Sequence, residues 1–254
     1  MKTYPLQTNL KQDYLNYTAE DKAVWKILFE RQMALLKHLA APEYLEAVEQ
    51  IGFDANKIPN FEEVNECLEL KTGWKLEVVD GIISELDFYE LLASKKFPAT
   101  TWLRKLSELD YLSEPDMFHD VFGHAPMLVN KGVCDFYEAF GKLGVQHKND
   151  SEIVRMLGRL YWFTIEFGLI QNKNELQIYG AGILSSHGES KFAVSDEPKH
   201  IDFNTEAIMN TNFDNSVIQN TYFVLNSFDD LYTCLSKVET LLAKSQKQKI
   251  NLGN

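Results

Sequence analysis

Glu114-Pro115-Asp116-Met117-Phe118-His119-Asp120-Val121-Phe122-Gly123-His124-Ala125-Pro126 places two imidazoles within a short span. Further on, a lone carboxylate, Glu166, interrupts the apolar run Leu160-Tyr161-Trp162-Phe163-Thr164-Ile165-Glu166-Phe167-Gly168-Leu169-Ile170. Ser113 is positioned to cap a helix, Pro115 suits a first turn, and Asp116 stands three residues after the cap. The same helix is expected to end near Gly123, because Pro126 cannot continue it. On a straight α-helix, residues five apart diverge by roughly 140°. Convergence of His119 and His124 therefore requires the helix to stop between them, so that one ligand comes from its last turn and the other from the exit loop.

The stretch from Glu152 to Ile170 is apolar on nearly every face, the pattern of a helix buried on all sides. A carboxylate there loses its water and needs a cation or strong donors beside it. A divalent metal on His119, His124 and Glu166 meets that need. Two neutral imidazoles and one carboxylate, with coordination positions left open, form the donor set of non-haem iron(II) oxygenases and also of zinc hydrolases. The spacing leaves another arrangement open, in which one histidine caps a helix and Glu166 pairs with Arg155 or Arg159.

Four blocks follow one another along the chain: Leu109-Asp110-Tyr111-Leu112-Ser113-Glu114-Pro115-Asp116, then Phe118 to His124, then Leu160 to Leu169, then Tyr179-Gly180-Ala181-Gly182-Ile183-Leu184-Ser185-Ser186. In these blocks the chain resembles the catalytic domain of the aromatic amino acid hydroxylases, the pterin-dependent iron monooxygenases, and most of all their short bacterial members, which act on phenylalanine. The resemblance extends from about Phe97 to Phe228 and more weakly back to Gly81. It implies a mainly α fold with minor β, the family's irregular helical basket. It also implies Fe(II) on His119, His124 and Glu166, tetrahydrobiopterin or a related tetrahydropterin, and conversion of L-phenylalanine to L-tyrosine with O2.

Further roles come from the same resemblance. Gly81-Ile82-Ile83-Ser84-Glu85-Leu86-Asp87-Phe88 corresponds to the family's pterin loop. There Gly81 and Ile83 border the cofactor, Phe88 is the stacking ring, and Asp120 is the acid that orients the pterin. Arg104, fifteen residues before His119, corresponds to the arginine that holds the amino acid's carboxylate, a task suited to a planar guanidinium. Ser185 is the second candidate for that carboxylate, and Pro115, Trp162 and Phe167 form the apolar aromatic slot. After Ile208-Met209-Asn210-Thr211, the stretch Asp214-Asn215-Ser216-Val217-Ile218-Gln219 departs from the family pattern. Asn215, where an apolar residue is common, leaves open a different regiochemistry or the acceptance of tyrosine or tryptophan.

With 254 residues, 45% hydrophobic and 24% charged, the chain is long enough for one sizeable core. One catalytic domain is expected: N-terminal helices over about 18–73, a pterin loop and metal and substrate core over about 81–228, and a tail over about 229–254. A net charge of -12 and a pI near 5.0 argue against nucleic acid or an anionic membrane as partner. Lys244 to Lys249 reads as a solvated helix end. Met1 to Leu15 has no signal-peptide pattern and no apolar run is long enough to span a membrane, so a cytoplasmic protein is expected. Three widely spaced cysteines, Cys67, Cys134 and Cys234, fit reduced thiols. A monomer is expected, since neither an N-terminal regulatory domain nor a long C-terminal heptad helix is read.

Helix signals dominate. Thr18 with Asp21 opens a helix to about Leu39, Pro42 starts one ending at Gly52, and Asn60 with Glu63 starts another ending at Gly73. Strands are expected at Leu76 to Val79, within Phe97 to Leu103, and at Leu176 to Tyr179, while Thr221 to Leu225 reads as strand or helix. Tyr179-Gly180-Ala181-Gly182 is not a dinucleotide fingerprint, and neither G-x-S-x-G nor H-E-x-x-H occurs. Two rival readings of the donor set remain, a zinc hydrolase and a non-catalytic metal-stabilised binding protein.

Overall fold

The computed structural model describes residues 3–252, apart from residues 8, 111, 113, 174 and 216, and describes side chains through residue 243. The N-terminal third is helical, as the cap signals require. Helix α1 (Ala19–Leu39) opens with a reciprocal cap in which Thr18 Oγ1 accepts from Asp21 N and Asp21 accepts from Thr18 N. Helix α2 (Pro42–Ile51) stops at Gly52, whose φ of 77° is the left-handed conformation that glycine adopts at least cost. Helix α3 (Phe61–Lys71) is capped by Asn60, which accepts from Glu62 N at 2.9 Å.

Strand β1 (Lys75–Val78), helix α4 (Glu85–Ala93) and strand β2 (Lys96–Ala99) form a small parallel unit. Its connection leaves the C-terminal end of β1 and enters α4 through a Ser84 cap. Helices α5 (Lys131–Gln146) and α6 (Ser151–Tyr161) lie beyond a helical segment that carries both histidines. A second, four-stranded sheet follows. Its strands are β3 (Leu169–Asn172), β4 (Glu175–Ile178), β5 (Lys199–Asp202) and β6 (Thr221–Leu225), in the order β4-β3-β6-β5. Helices α7 (Ala181–Leu184), α8 (His187–Phe192) and α9 (Thr205–Asn210) are interspersed, and α10 (Phe228–Leu252) closes the fold.

One hydrophobic cluster runs from Val24 in α1 to Leu242 in α10 and packs around the histidine segment. Phe118 and Phe122 stack on each other at 4.6 Å, Trp25 meets Phe118 at 5.5 Å, and Tyr44 donates to Phe122 O at 2.7 Å. Helices α1 and α2 thus grip the back of the segment whose front carries the imidazoles.

Three expectations need correction. The stretch 152–170 is not one helix buried on all sides. Helix α6 buries only Ile153, Val154, Leu157 and Leu160, while Ser151, Glu152 and Arg155 are exposed. It passes into a π-turn, Trp162–Glu166, and β3 begins at Leu169. Gly168 marks the change, because a Cβ there would lie 2.2 Å from Thr164 O and from the Tyr179 ring. Strands β3 and β5 were not anticipated, since neither four-residue run separates itself from a helix by period. The stretch expected as a tail is a 25-residue helix docked through Leu231, Cys234, Val238 and Leu242. The run Thr221 to Leu225 is a strand.

Candidate metal centre and cofactor cavity

His119 and His124 converge without a break in the helix. Phe118–His124 is wound as a π-helix and continues into a 3-10 turn, Ala125–Val129, with Pro126 in its first turn. Winding with i→i+5 hydrogen bonds sets residues five apart on one face. The expected stop at Gly123 is therefore absent. That glycine serves packing instead: an added Cβ would stand 2.9 Å from Ala181 O on α7.

The N-cap is also different from the one expected. Ser113 lies outside the described residues, and Asp116 caps the segment by accepting from His119 N at 3.2 Å. Fully buried, Asp116 also accepts from Arg104 N at 3.0 Å, Arg104 Nε at 2.9 Å and Arg104 Nη2 at 2.8 Å. One carboxylate thus fixes the start of the ligand helix and the arginine together.

Glu166 ends the π-turn that follows α6 and meets both imidazoles. Its Oε1 is 3.0 Å from His124 Nε2, its Oε2 is 3.6 Å from His119 Nε2, and the two Nε2 atoms are 3.3 Å apart. Three donor atoms at these separations match adjacent positions around one ion held by bonds of about 2.1 Å. Among the described residues, no other group of histidine, cysteine and acidic side chains converges in this way. The alternative pairing with an arginine does not occur, since Arg159 donates to Met209 O and to Asn212, and Arg155 is exposed.

Burial pushes the Glu166 carboxyl up, but attraction to His124 and His119 and hydrogen bonding from Tyr161 more than offset it, leaving a pKa of about 2. The carboxylate and the two imidazole nitrogens together form a donor set that a divalent cation can satisfy. Ser185 Oγ lies 3.0 Å from His119 Nδ1 and donates to Ala181 O at 2.8 Å. It accepts from Nδ1–H and leaves Nε2 free to bind a cation.

The donor set opens on a cavity of about 300 Å3. Gly81, Ile83, Phe88 and Asp120 all line it, together with Pro115 and the three donors. The N-terminal segment closes over the loop, with Tyr4 N donating to Ile82 O at 2.7 Å and the Tyr4 ring occupying the space that a Gly81 side chain would need. Phe88 meets the Tyr161 ring edge-on at 5.2 Å. Asp120 Oδ2 accepts from Thr100 N and Thr100 Oγ1, both at 2.8 Å. Burial raises the Asp120 pKa, and His119 and the Thr100 bonds partly counter it.

Arg104, Trp162, Phe167 and Ser185 do not line this cavity. Ser185 stands behind His119, with its hydroxyl committed to the ring nitrogen and to Ala181 O. Arg104 is 9% exposed and committed to Asp116 through two nitrogens, Nε and Nη2, on one edge of its guanidinium. Trp162 is held between Phe167 at 4.5 Å and Phe213 at 4.3 Å, and donates from Nε1 to Gln219 Oε1 at 3.1 Å. Asp116, Thr100, Tyr137 and Tyr161 escaped the sequence reading. Asp116 alone had a signal, as an acid three residues before a ligand histidine.

The comparisons with known proteins agree with this geometry. Residues 4–251 match the family model described as biopterin-dependent aromatic amino acid hydroxylase. The phenylalanine-4-hydroxylase of Chromobacterium violaceum is 46% identical over 88% of this chain and 75% of its own length. That of Pseudomonas aeruginosa is 41% identical over 86% of this chain and 83% of its own. A crystal structure of the Chromobacterium violaceum enzyme, with iron(III) and the oxidised cofactor 7,8-dihydrobiopterin bound, aligns with a TM-score of 0.86 at 45% identity, over 92% of this chain and 86% of that one. With its π-wound histidine pair, its partly buried glutamate and its loop-bordered cavity, the chain belongs to the biopterin-dependent aromatic amino acid hydroxylases.

Proposed function

We propose that this chain is a phenylalanine 4-monooxygenase, hydroxylating L-phenylalanine to L-tyrosine with O2, iron(II) and a tetrahydropterin. The observation that carries the reading is that the donors His119, His124 and Glu166 share one cavity with Gly81, Ile83, Phe88 and Asp120. Membership of a hydroxylase family decides among the readings of the donor set, leaving neither a zinc hydrolase nor a non-catalytic metal protein.

Iron(II) and the reduced pterin, when bound, supply the electrons that activate O2. The chain's own residues hold and orient. His119 and His124 offer Nε2, and Glu166 a charge that cancels part of the ion's. Phe88 presents a ring face for stacking, Gly81 and Ile83 bring backbone close to the pterin edge, and Asp120 offers an acceptor anchored by Thr100. Arg104, aimed by Asp116, takes the amino acid's carboxylate, with Pro115, Trp162 and Phe167 bounding its ring. Ser185 is better read as a clamp on His119 than as a second carboxylate donor. The apolar cavity wall excludes water and holds the reacting ring in place.

The same reading makes the chain one catalytic domain, monomeric and cytoplasmic. Burial pushes the Cys134 and Cys234 thiols up to about 12. Among the described residues no helix is long and apolar enough to cross a membrane. The test is to supply iron(II), O2, a tetrahydropterin and an equimolar mixture of phenylalanine, tyrosine and tryptophan, and to identify products by chromatography and mass. Para-tyrosine that requires both iron and pterin is expected. Another hydroxylated product moves the specificity, and none at all overturns the reading.

A further inference from the structure

His124 is held from behind by a residue that no motif points to. Tyr137, on α5, is 1% exposed, and its hydroxyl lies 3.3 Å from His124 Nδ1. Nε2 of that imidazole faces Glu166 and His119. A ring that offers its Nε2 lone pair to a cation carries its proton on Nδ1. Tyr137 Oη is then the acceptor, and its own hydrogen is left to donate.

The Tyr161 ring packs beside Tyr137, with 6.4 Å between ring centroids. Rings around Tyr137 fix the hydroxyl: Trp74 lies at 5.7 Å and Phe97 at 5.6 Å, and Phe97 also covers the face of His124 at 4.7 Å. Tyr137 does not line the cofactor cavity, so it acts only through His124.

We propose that Tyr137 is a positioning residue that fixes His124 in the Nδ1–H tautomer, leaving Nε2 to bind a cation. The inference rests on the metal-centre reading above. It gives His124 what Ser185 gives His119: a hydroxyl that accepts from Nδ1–H. Ser185 itself donates to the backbone at Ala181 O.

The test uses zinc as a diamagnetic stand-in and cobalt(II) as a visible one. In zinc-loaded wild-type protein, nitrogen-15 NMR should show His124 bound through Nε2, with an Nδ1–H proton that exchanges slowly with solvent. Tyr137→Phe keeps the ring and its packing but removes the acceptor. That proton should then exchange faster, and cobalt affinity in a chelator competition should fall at least about tenfold, the scale typical of lost outer contacts. Binding through Nδ1 in the wild type, a read-out that does not depend on the variant folding, overturns the proposal. So does a folded Tyr137→Phe protein with unchanged cobalt affinity. Wild-type protein that takes up neither ion removes the metal-centre reading itself, a separate and recognisable failure.

Discussion

Asp116 and Arg104 form a two-pronged pair, with Oδ1 on Nη2 at 2.8 Å and Oδ2 on Nε at 2.9 Å, both side chains removed from solvent. The same Oδ1 caps His119 N. Removing one member of a buried pair strands the other charge, which costs about 3–5 kcal/mol. Asp116→Ala is therefore expected to lose stability on that scale in urea unfolding and to raise the KM for phenylalanine more than the KM for the pterin. An unfolding free energy within about 1 kcal/mol of wild type would dismiss the pair as structurally important.

Glu166 is the only acid facing both imidazoles among the described residues. Glu166→Ala and His119→Ala are each expected to abolish iron binding and turnover while leaving the far-ultraviolet circular dichroism of the helices in place. The aromatic grip of Trp25, Phe118 and Phe122 behind the segment does not involve these side chains. Iron at normal stoichiometry in either purified variant removes that residue from the centre.

The N-terminal helices were legible because their signals are local: Thr18 with Asp21, Pro42 with Gly52, Asn60. The donor set was legible as residue types and the cofactor wall through family resemblance, but the means of convergence was not. Whether residues 118–124 wind with i→i+4 or i→i+5 bonds is settled by what packs on them, here Tyr44 on Phe122 O and Ala181 against Gly123, and not by the segment's own propensities. Asp116 was read as an ordinary first-turn acid because its second partner, Arg104, becomes visible only once the fold turns the chain back. Tyr137 and Tyr161 carry no sequence signal at all; a tyrosine on an apolar helix face reads as core.

Gly123 tests the packing account. Its missing side chain lets the backbone of the histidine segment approach α7, where an alanine Cβ would meet Ala181 O at 2.9 Å. Backbone on both sides leaves little room to yield. Gly123→Ala should cost about 1–3 kcal/mol in unfolding free energy, the usual range for overpacking, and should weaken iron binding, because His124 is the next residue. A variant with wild-type stability and iron affinity would show that the close approach carries no constraint.

Phe213 bears on specificity. It lies in the stretch beside the divergent residues 214–219 and stacks on Trp162 at an interplanar angle of 11°, while Gln219 holds the indole N–H. Trp162 is thereby held in one position, and on the proposed reading it bounds the substrate ring. Phe213→Ala frees one face of the indole, so the KM for phenylalanine should rise severalfold and the relative turnover of tryptophan should increase. Competition between the two amino acids, read by product mass, checks this; an unchanged product ratio separates Phe213 from the slot.

Glu189 predicts how stability changes with pH. It lies in α8, buried, accepting from Gln219 N at 3.2 Å and from the Tyr222 hydroxyl. Burial raises its pKa above the ordinary 4.5, and the two hydrogen bonds lower it only in part. Between 4.5 and the raised folded value, the folded protein therefore binds more protons at this site than the unfolded chain does. Stability from this group is then full below pH 4.5 and is lost as pH rises through the folded pKa. Glu189→Gln keeps an oxygen acceptor for both donors and carries no charge, so it escapes that loss. Urea unfolding of both proteins at pH 4 and pH 7 should show the variant gaining on wild type at the higher pH. A wild-type minus variant difference that stays constant across the range would mean that Glu189 is as well solvated in the fold as in the open chain, and that Tyr222 and Gln219 hold it at no electrostatic cost.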